Sequence, residues 1–252
     1  MSGWDEIAAG IVKAVQLILA GDPMVLQITS LSIAVSGTAT LLGALIGIPF
    51  GAIVSLKQFR GKSFLVQVVN TLTGLPPVVV GLFLYLLLSS SGPLGFLRLL
   101  YTPQAMILAQ LLMIVPITAS ITISSVSSVD PEVRDAVISL GADPVRETLI
   151  MLNEARLGLL TSVVVGFGSA ISEVGAIMII GGNLLGYTRA LTTAIVLLTN
   201  QGEFTEAIAL GIILLSLAFL VNVLLTLLKN RFAGTSPYAR SILINTSASS
   251  DR

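Results

Sequence analysis

The chain has 252 residues, 54% of them hydrophobic and only 10% charged, with a mean hydropathy of +0.98; a soluble domain carries roughly 25% charged residues, so this is the composition of an all-α polytopic membrane protein. Lys+Arg and Asp+Glu both number 13, which leaves no basic excess for nucleic acid. Cys and His are absent, which excludes disulfides, thiol nucleophiles, imidazole catalysis and the commonest transition-metal ligands, so neither a catalytic nor a metal site is expected.

Asp5 and Glu6 stand where a cleavable signal peptide would carry positive charge, so none is expected. Residues 7–20 are interrupted by Lys13 and Gln16 and read as an amphipathic helix lying at the interface, within an N-terminal unit 1–23. A helix needs about 20 apolar residues to cross a hydrocarbon core of roughly 30 Å. Five segments qualify: 24–56, 64–88, 103–125, 157–180 and 204–228. They define a transmembrane domain over 24–230. A shorter apolar run, 190–198, reads as a re-entrant or surface half-helix.

The spans differ from simple anchors. The first contains Gly43, Gly47 and Gly51 at a four-residue spacing that lets another helix approach closely. Pro76-Pro77 is expected to break the second span after Asn70, and Pro116 to do the same in the third, near Gln110. Glu173 lies deep in the fourth, beside Ser172. A charge at the bilayer centre costs roughly 2.5–3.5 kcal/mol on insertion scales, so Glu173 must face an interior or a cavity. Pro76, Pro77, Ser172 and Glu173 are therefore candidates for a translocation pathway or gate. Packing kinks, and a structural partner for Glu173 such as Ser172 or Gln110, are the alternatives.

The polar stretch 130–154 separates two of these spans. Asp130-Pro131 and Asp143-Pro144 are each an N-cap followed by a residue suited to the first helical position. Gly141 stands where the first short helix must end. Two short capped helices joined by a glycine elbow are expected. Five spans put the chain ends on opposite sides. With the N-terminus outside, Lys57, Arg60, Lys62, Arg134, Arg146, Arg156, Lys229, Arg231, Arg240 and Arg252 are cytoplasmic, and only Lys13, Arg98 and Arg189 lie outside. The helical hairpin is then cytoplasmic. So is the polar tail 231–252, which is Ser-rich from Thr235 and expected to be disordered. Arg60-Gly61-Lys62-Ser63 looks like the end of a phosphate-binding loop, but Leu56 stands where its first glycine should be, and a hydrophobic span precedes it instead of a strand. It reads as a basic loop that fixes topology, and no ATPase site is expected in this chain.

Asp135-Ala136-Val137, followed after three residues by Gly141, resembles the Glu-Ala-Ala loop of ABC-importer permeases. Asp replaces Glu, Val replaces the second Ala, and Met151-Leu152-Asn153-Glu154 stands in place of the usual Ile-x-Leu-Pro. Leu75-Pro76-Pro77 through Gly81, the turn from Ser89 to Gly95, and Ile171-Ser172-Glu173-Val174-Gly175 resemble the molybdate, tungstate and sulfate branch, and within it the tungstate type. The resemblance implies the transmembrane fold of type I ABC importers and a place in the cytoplasmic (inner) membrane. It implies a homodimer, with a second copy of the chain, fed by an extracytoplasmic oxyanion-binding protein. A cytoplasmic ABC ATPase dimer, which binds ATP and Mg, would grip the hairpin; no cofactor belongs to this chain. By the same resemblance Asp135, Ala136 and Gly141 would meet the ATPase groove, with Arg134 and Arg146 available for ion pairs there. Two other readings remain at this stage: a gradient-driven transporter using Glu173 as an ion site, and a membrane scaffold whose hairpin recruits a partner.

Overall fold

The computed structural model describes residues 3–233, and among them every regular element is a helix. In chain order these are α1 (Gly3–Ala20), α2 (Pro23–Leu56), α3 (Lys62–Leu72), α4 (Pro77–Leu88), α5 (Pro103–Ser127), α6 (Pro131–Ser139), α7 (Pro144–Glu154), α8 (Arg156–Ile171), α9 (Gly175–Gly181), α10 (Leu191–Gln201) and α11 (Phe204–Ala233), with a single 3₁₀ turn at Gly95–Leu97. The expected start of the polar tail at residue 231 falls inside α11, which continues to Ala233; the rest of that segment, including Arg240 and Arg252, lies outside the described residues.

The centre of the molecule is the α2–α5 pair. Both helices begin with proline in the first turn, behind a side-chain cap: Asp22 accepts from the amides of Met24 and Val25, and Thr102 from that of Ala105. Their seam is built from small residues. A Cβ on Gly47 would lie 2.8 Å from the carbonyl oxygen of Val115, and one on Gly51 would lie 2.6 Å from that of Ala119. Thr118, fully buried, donates to the Gly43 carbonyl at 3.0 Å. Between helices already surrounded by apolar matter, such close backbone approach and interhelical hydrogen bonding replace the hydrophobic drive of a soluble core. α8 lies across this pair, with Gly166 against Ile114.

Of the five spans expected from hydropathy, three are continuous helices long and apolar enough to cross, Pro23–Leu56, Pro103–Ser127 and Phe204–Leu228, and up to five are present if each bent helix pair is one span. The second span is two helices, Lys62–Leu72 and Pro77–Leu88, bent by 95°. The fourth is interrupted at Ser172–Val174, between α8 and α9. Pro116 does not break its helix; α5 runs through it without interruption, and Pro49 likewise sits inside α2. The difference lies in the flanking sequence. Thr73-Gly74 precedes Pro76-Pro77, so weak helix formers and two consecutive missing amide donors coincide, whereas Pro116 is an isolated proline in an otherwise strong run. At Pro76 the backbone turns extended, with φ −63° and ψ 121°, as a residue before proline prefers.

α1 differs from a separate interfacial helix. Its Gly10 sits against Ile208 of α11, Ala14 is buried, and Leu17 joins the cluster of Ile28, Leu191, Leu210 and Ile213. Ile7, Ile11, Val15 and Ile18 remain exposed. α1 is thus packed on the bundle by its small residues and presents apolar side chains outward. The half-helix expected at 190–198 is α10, seated between α2 and α11, with the Leu191 amide donating to Ser32 Oγ at 2.9 Å. In the basic loop Gly61 adopts φ +89° and Lys62 Nζ donates to the Ser55 carbonyl.

The α2–α5 seam makes a clear prediction. Gly47→Val forces a branched side chain into backbone and should cost about 1–3 kcal/mol of stability, read as a lower melting temperature of the detergent-solubilised protein. Gly37→Ala, on the same helix but with open space at its Cβ, should leave the melting temperature essentially unchanged.

Candidate functional site

The hairpin forms as its sequence dictates. Asp130 Oδ1 accepts from the Glu132 amide at 2.9 Å, and Asp143 Oδ1 from the amides of Val145 and Arg146, both at 2.9 Å. α6 ends in a Schellman turn: the Gly141 amide donates to Ile138 O at 2.9 Å and the Ala142 amide to Val137 O at 3.3 Å. Gly141 carries φ +76°, and nothing lies within 4 Å of where its Cβ would be. The glycine is therefore required by backbone conformation and not by crowding.

One face of the hairpin is anchored. Met151, Ala155, Val126 and Leu56 form a buried cluster with Val129, Val133, Val137 and Leu152 packed around it. Arg134 ties the assembly from the polar side. Its Nε donates to Glu147 Oε1 at 2.7 Å and its Nη2 to the Leu56 carbonyl at 2.9 Å. A single guanidinium thus joins α6, α7 and the C-terminal end of α2, where unpaired carbonyls and the helix dipole favour a cation. Arg134, expected to be available for ion pairs with the ATPase, thus also has partners within the chain. Arg146 lies only 3.6 Å from Asp143, and both side chains are more than half exposed, so that pair adds little.

The other face is open. Asp135, Ala136, Gly141 and Arg146 are all exposed, and beside them stand Leu140 (87% exposed), Val145 (69%) and Leu149 (60%). These exposed apolar side chains on the most polar element of the chain were not singled out from the sequence. The available signal was large apolar residues at positions the anchored face does not use.

The two broken spans meet. A Cβ on Gly81 of α4 would fall 2.8 Å from Ala176 Cα of α9, and one on Gly175 would fall 2.7 Å from Val78 Cγ2. Pro76, Pro77, Ser172 and Glu173, far apart in sequence, therefore flank one helix crossing. Glu173 is 6% exposed. Its Oε1 accepts from the Ala176 amide at 2.7 Å, capping α9, and its carbonyl accepts from Thr192 Oγ1 at 2.8 Å. Of the structural partners expected for it, the Ser172 hydroxyl and the Gln110 Nε2 donate elsewhere, and Gln110 Oε1 is buried without a partner. Ser172 Oγ donates to Gly168 O, and Gln110 Nε2 donates to Ala170 O at 2.8 Å, a carbonyl in the last turn of α8. The interruption is thus tolerated because side chains from α5, α10 and Glu173 itself satisfy the backbone groups around it. Thr192 carried no signal in the sequence, because one Thr within an apolar half-helix is unremarked in membrane proteins.

Residues 47–234 match the model of the family described as binding-protein-dependent transport system inner membrane component. The chain belongs to that family. The tungstate uptake system permease protein TupB of Peptoclostridium acidaminophilum is 41% identical over 218 residues, covering 86% of this chain and 96% of that one. A probable anion ABC transporter permease protein of Haloferax volcanii is 41% identical over 219 residues, covering 85% and 94%. Among solved structures, a bacterial ABC transporter involved in the import of alginate superposes with a TM-score of 0.71 at 18% identity, covering 86% of this chain and 82% of that one. The fold is that of type I ABC-importer transmembrane domains, and the chain is an inner-membrane transport component.

The Arg134 tie is testable without a partner. Sheltered hydrogen bonds to charged groups contribute about 1.5–3 kcal/mol and exposed ion pairs about 0–1 kcal/mol. With side-chain exposures of 35% for Arg134 and 16% for Glu147, Arg134→Ala should loosen the hairpin by about 1–2 kcal/mol. Amide hydrogen exchange in α6 should accelerate about 5- to 30-fold, while α5 is unaffected.

Proposed function

We propose that this chain is the permease subunit of an ATP-driven importer for a tetrahedral oxyanion, and that the anion is tungstate. The observation that carries the substrate is the 41% identity to a tungstate uptake permease across 96% of that protein's length. Sulfate transport permeases share less, 25% identity over 218 residues for the Synechococcus elongatus protein. Transport of molybdate or sulfate by the same machinery is the second reading, favoured by those more distant relatives.

In this reading the chain carries no ATPase chemistry of its own. A cytoplasmic ATPase pair holds ATP and Mg and seats the open face of the hairpin, with Leu140, Val145 and Leu149 as apolar anchors and Asp135, Ala136, Gly141 and Arg146 around them. The geometry supports transmission, because Arg134 and the Met151 cluster fix the hairpin to the ends of α2 and α5. A push on the hairpin then moves the central pair as one body. Two copies of the chain enclose the pathway, an extracytoplasmic binding protein delivers the anion, and the crossing of α4 with α9 moves with the gate. Glu173 serves there as a cap that keeps the break in register.

The test is reconstitution in proteoliposomes with the cognate ATPase, a tungstate-binding protein and ATP on the ATPase side. Tungstate should accumulate only with ATP, and molybdate and sulfate should compete weakly. Gly141→Pro, which removes the amide donor of the Schellman turn and cannot adopt φ +76°, should lower tungstate transported per ATP hydrolysed at least tenfold. Sulfate or molybdate transport in place of tungstate would move the assignment to the second reading. Uptake that needs an ion gradient and no ATP would refute both.

A further inference from the structure

At the end of α2 remote from the hairpin, a cavity of about 380 Å³ opens between α2 and the loop joining α9 to α10. From Leu31 to Leu56 α2 rises about 37 Å at roughly 1.5 Å per residue, so the cavity and the Arg134 tie lie on opposite sides of a bilayer. Gln27, Ser30 and Leu31 line it from α2, and Gly186, Tyr187 and Arg189 from the loop. Gln27 Nε2 donates to the Gly186 carbonyl at 2.8 Å and pins the loop to α2. The loop folds back on itself, with the Arg189 amide donating to Leu184 O at 3.0 Å.

Arg189 is held half-buried, and its bonding is incomplete. Its Nη2 makes one long hydrogen bond, 3.4 Å, to the Asn183 carbonyl, and its Nε is buried with no partner. Among the described residues no carboxylate lines the cavity. A guanidinium offers five N–H donors in a planar fork suited to two oxygens of one anion. Leaving such a charged donor sheltered and unpaired is costly; the chain's own Asn183 Oδ1 is likewise buried without a partner, and an oxyanion in the cavity would supply acceptors for the guanidinium. The cavity has room for a tetrahedral oxyanion with part of its hydration shell.

We propose that Arg189, with Tyr187 beside it in the cavity lining, forms the outer receiving site of the permease, where the oxyanion first leaves its binding protein for the membrane subunit. This inference rests on the proposed function and adds a residue-level anion contact to it. Arg189 supplies the charge and the guanidinium donors other than Nε, which is shut away from solvent. Gln27 acts through Gly186, as a positioning residue that fixes the loop carrying Arg189.

The experiment uses the assembled complex in proteoliposomes, with matched amounts of complex recovered for each variant. Tungstate uptake is measured against the concentration of loaded binding protein for the parent chain, Arg189→Gln and Arg189→Lys. Arg189→Gln should cut tungstate transported per ATP hydrolysed at least tenfold. Arg189→Lys, which restores the charge but not the fork, should recover at least a third of the parent ratio. That charge rescue distinguishes anion contact from a merely structural role, in which lysine and glutamine would be equally poor. In parallel, equilibrium binding of radiolabelled tungstate to the purified complex without binding protein should weaken at least fivefold in Arg189→Gln. Parent-like transport and binding in Arg189→Gln overturn the receiving site while leaving the importer intact, as do equal losses in the lysine and glutamine variants. Absence of ATP-driven oxyanion uptake by the parent chain itself overturns the proposed function, and the receiving site with it.

Discussion

The structure depends on how closely α2 and α5 approach. Gly43, Gly47 and Gly51 place the backbone of one helix against the backbone and threonines of the other. In a bilayer, apolar side chains gain little from leaving lipid for protein, so packing and hydrogen bonds across such seams hold the helices together. Everything else in the bundle is arranged on that pair. α8 crosses it, α3 is tied to α5 through Ser120 and Asn70 at 2.7 Å, and Gln110 of α5 reaches the frayed end of α8. The interruption at residues 172–174 survives because Gln110 of this centre, Thr192 and Glu173 bond the backbone groups around it, while at 73–75 the amides turn back onto the carbonyls of residues 70–72. A looser centre would leave those groups facing hydrocarbon.

The same rigidity gives the hairpin its meaning. One face of the element is buried against the ends of two long helices and the other is open with exposed apolar side chains, which is the geometry the proposed force transmission needs. Arg134 is central to this arrangement because it links three elements at once. Its role differs from that of Asp135, Ala136 and Gly141, although all four lie in one short stretch. Three point outward, or shape the outward surface, while Arg134 points inward. Anchoring and the open surface are thereby divided among neighbouring residues: a substitution at Arg134 would loosen the hairpin on the bundle, and in the proposed function the others would weaken its grip on the ATPase.

Much of this was legible in the sequence where the signal is local. Asp-Pro at the two hairpin starts, glycine at the αL position and the small-residue spacing of α2 each depend on nearby chain, and each appears as read. Non-local consequences were not legible. Pro76-Pro77 and Pro116 look alike as symbols, but only the first coincides with Thr73-Gly74 and lacks two successive donors, so only it bends the chain. Glu173 was recognised as a buried charge, yet its partner is an amide three residues ahead, reachable only because α8 stops at Ile171. The pairing of Arg134 with Leu56 O spans 78 positions in sequence, beyond any motif. The crossing of the two broken spans is likewise a product of tertiary packing. Arg189 illustrates the same limit: its charge counts for topology in the sequence, while the burial of its unpartnered Nε is a fact of three-dimensional surroundings.

The most direct test of the account asks what touches the open face of the hairpin. A photoreactive benzoyl-phenylalanine in place of Leu140, the most exposed apolar side chain of that face, would be activated in the assembled complex and the adduct identified by mass spectrometry. The account predicts a cross-link to the ATPase subunit whose yield changes between nucleotide-free and ATP-bound complex. Adducts to lipid or to the binding protein, with none to the ATPase in either state, would contradict it.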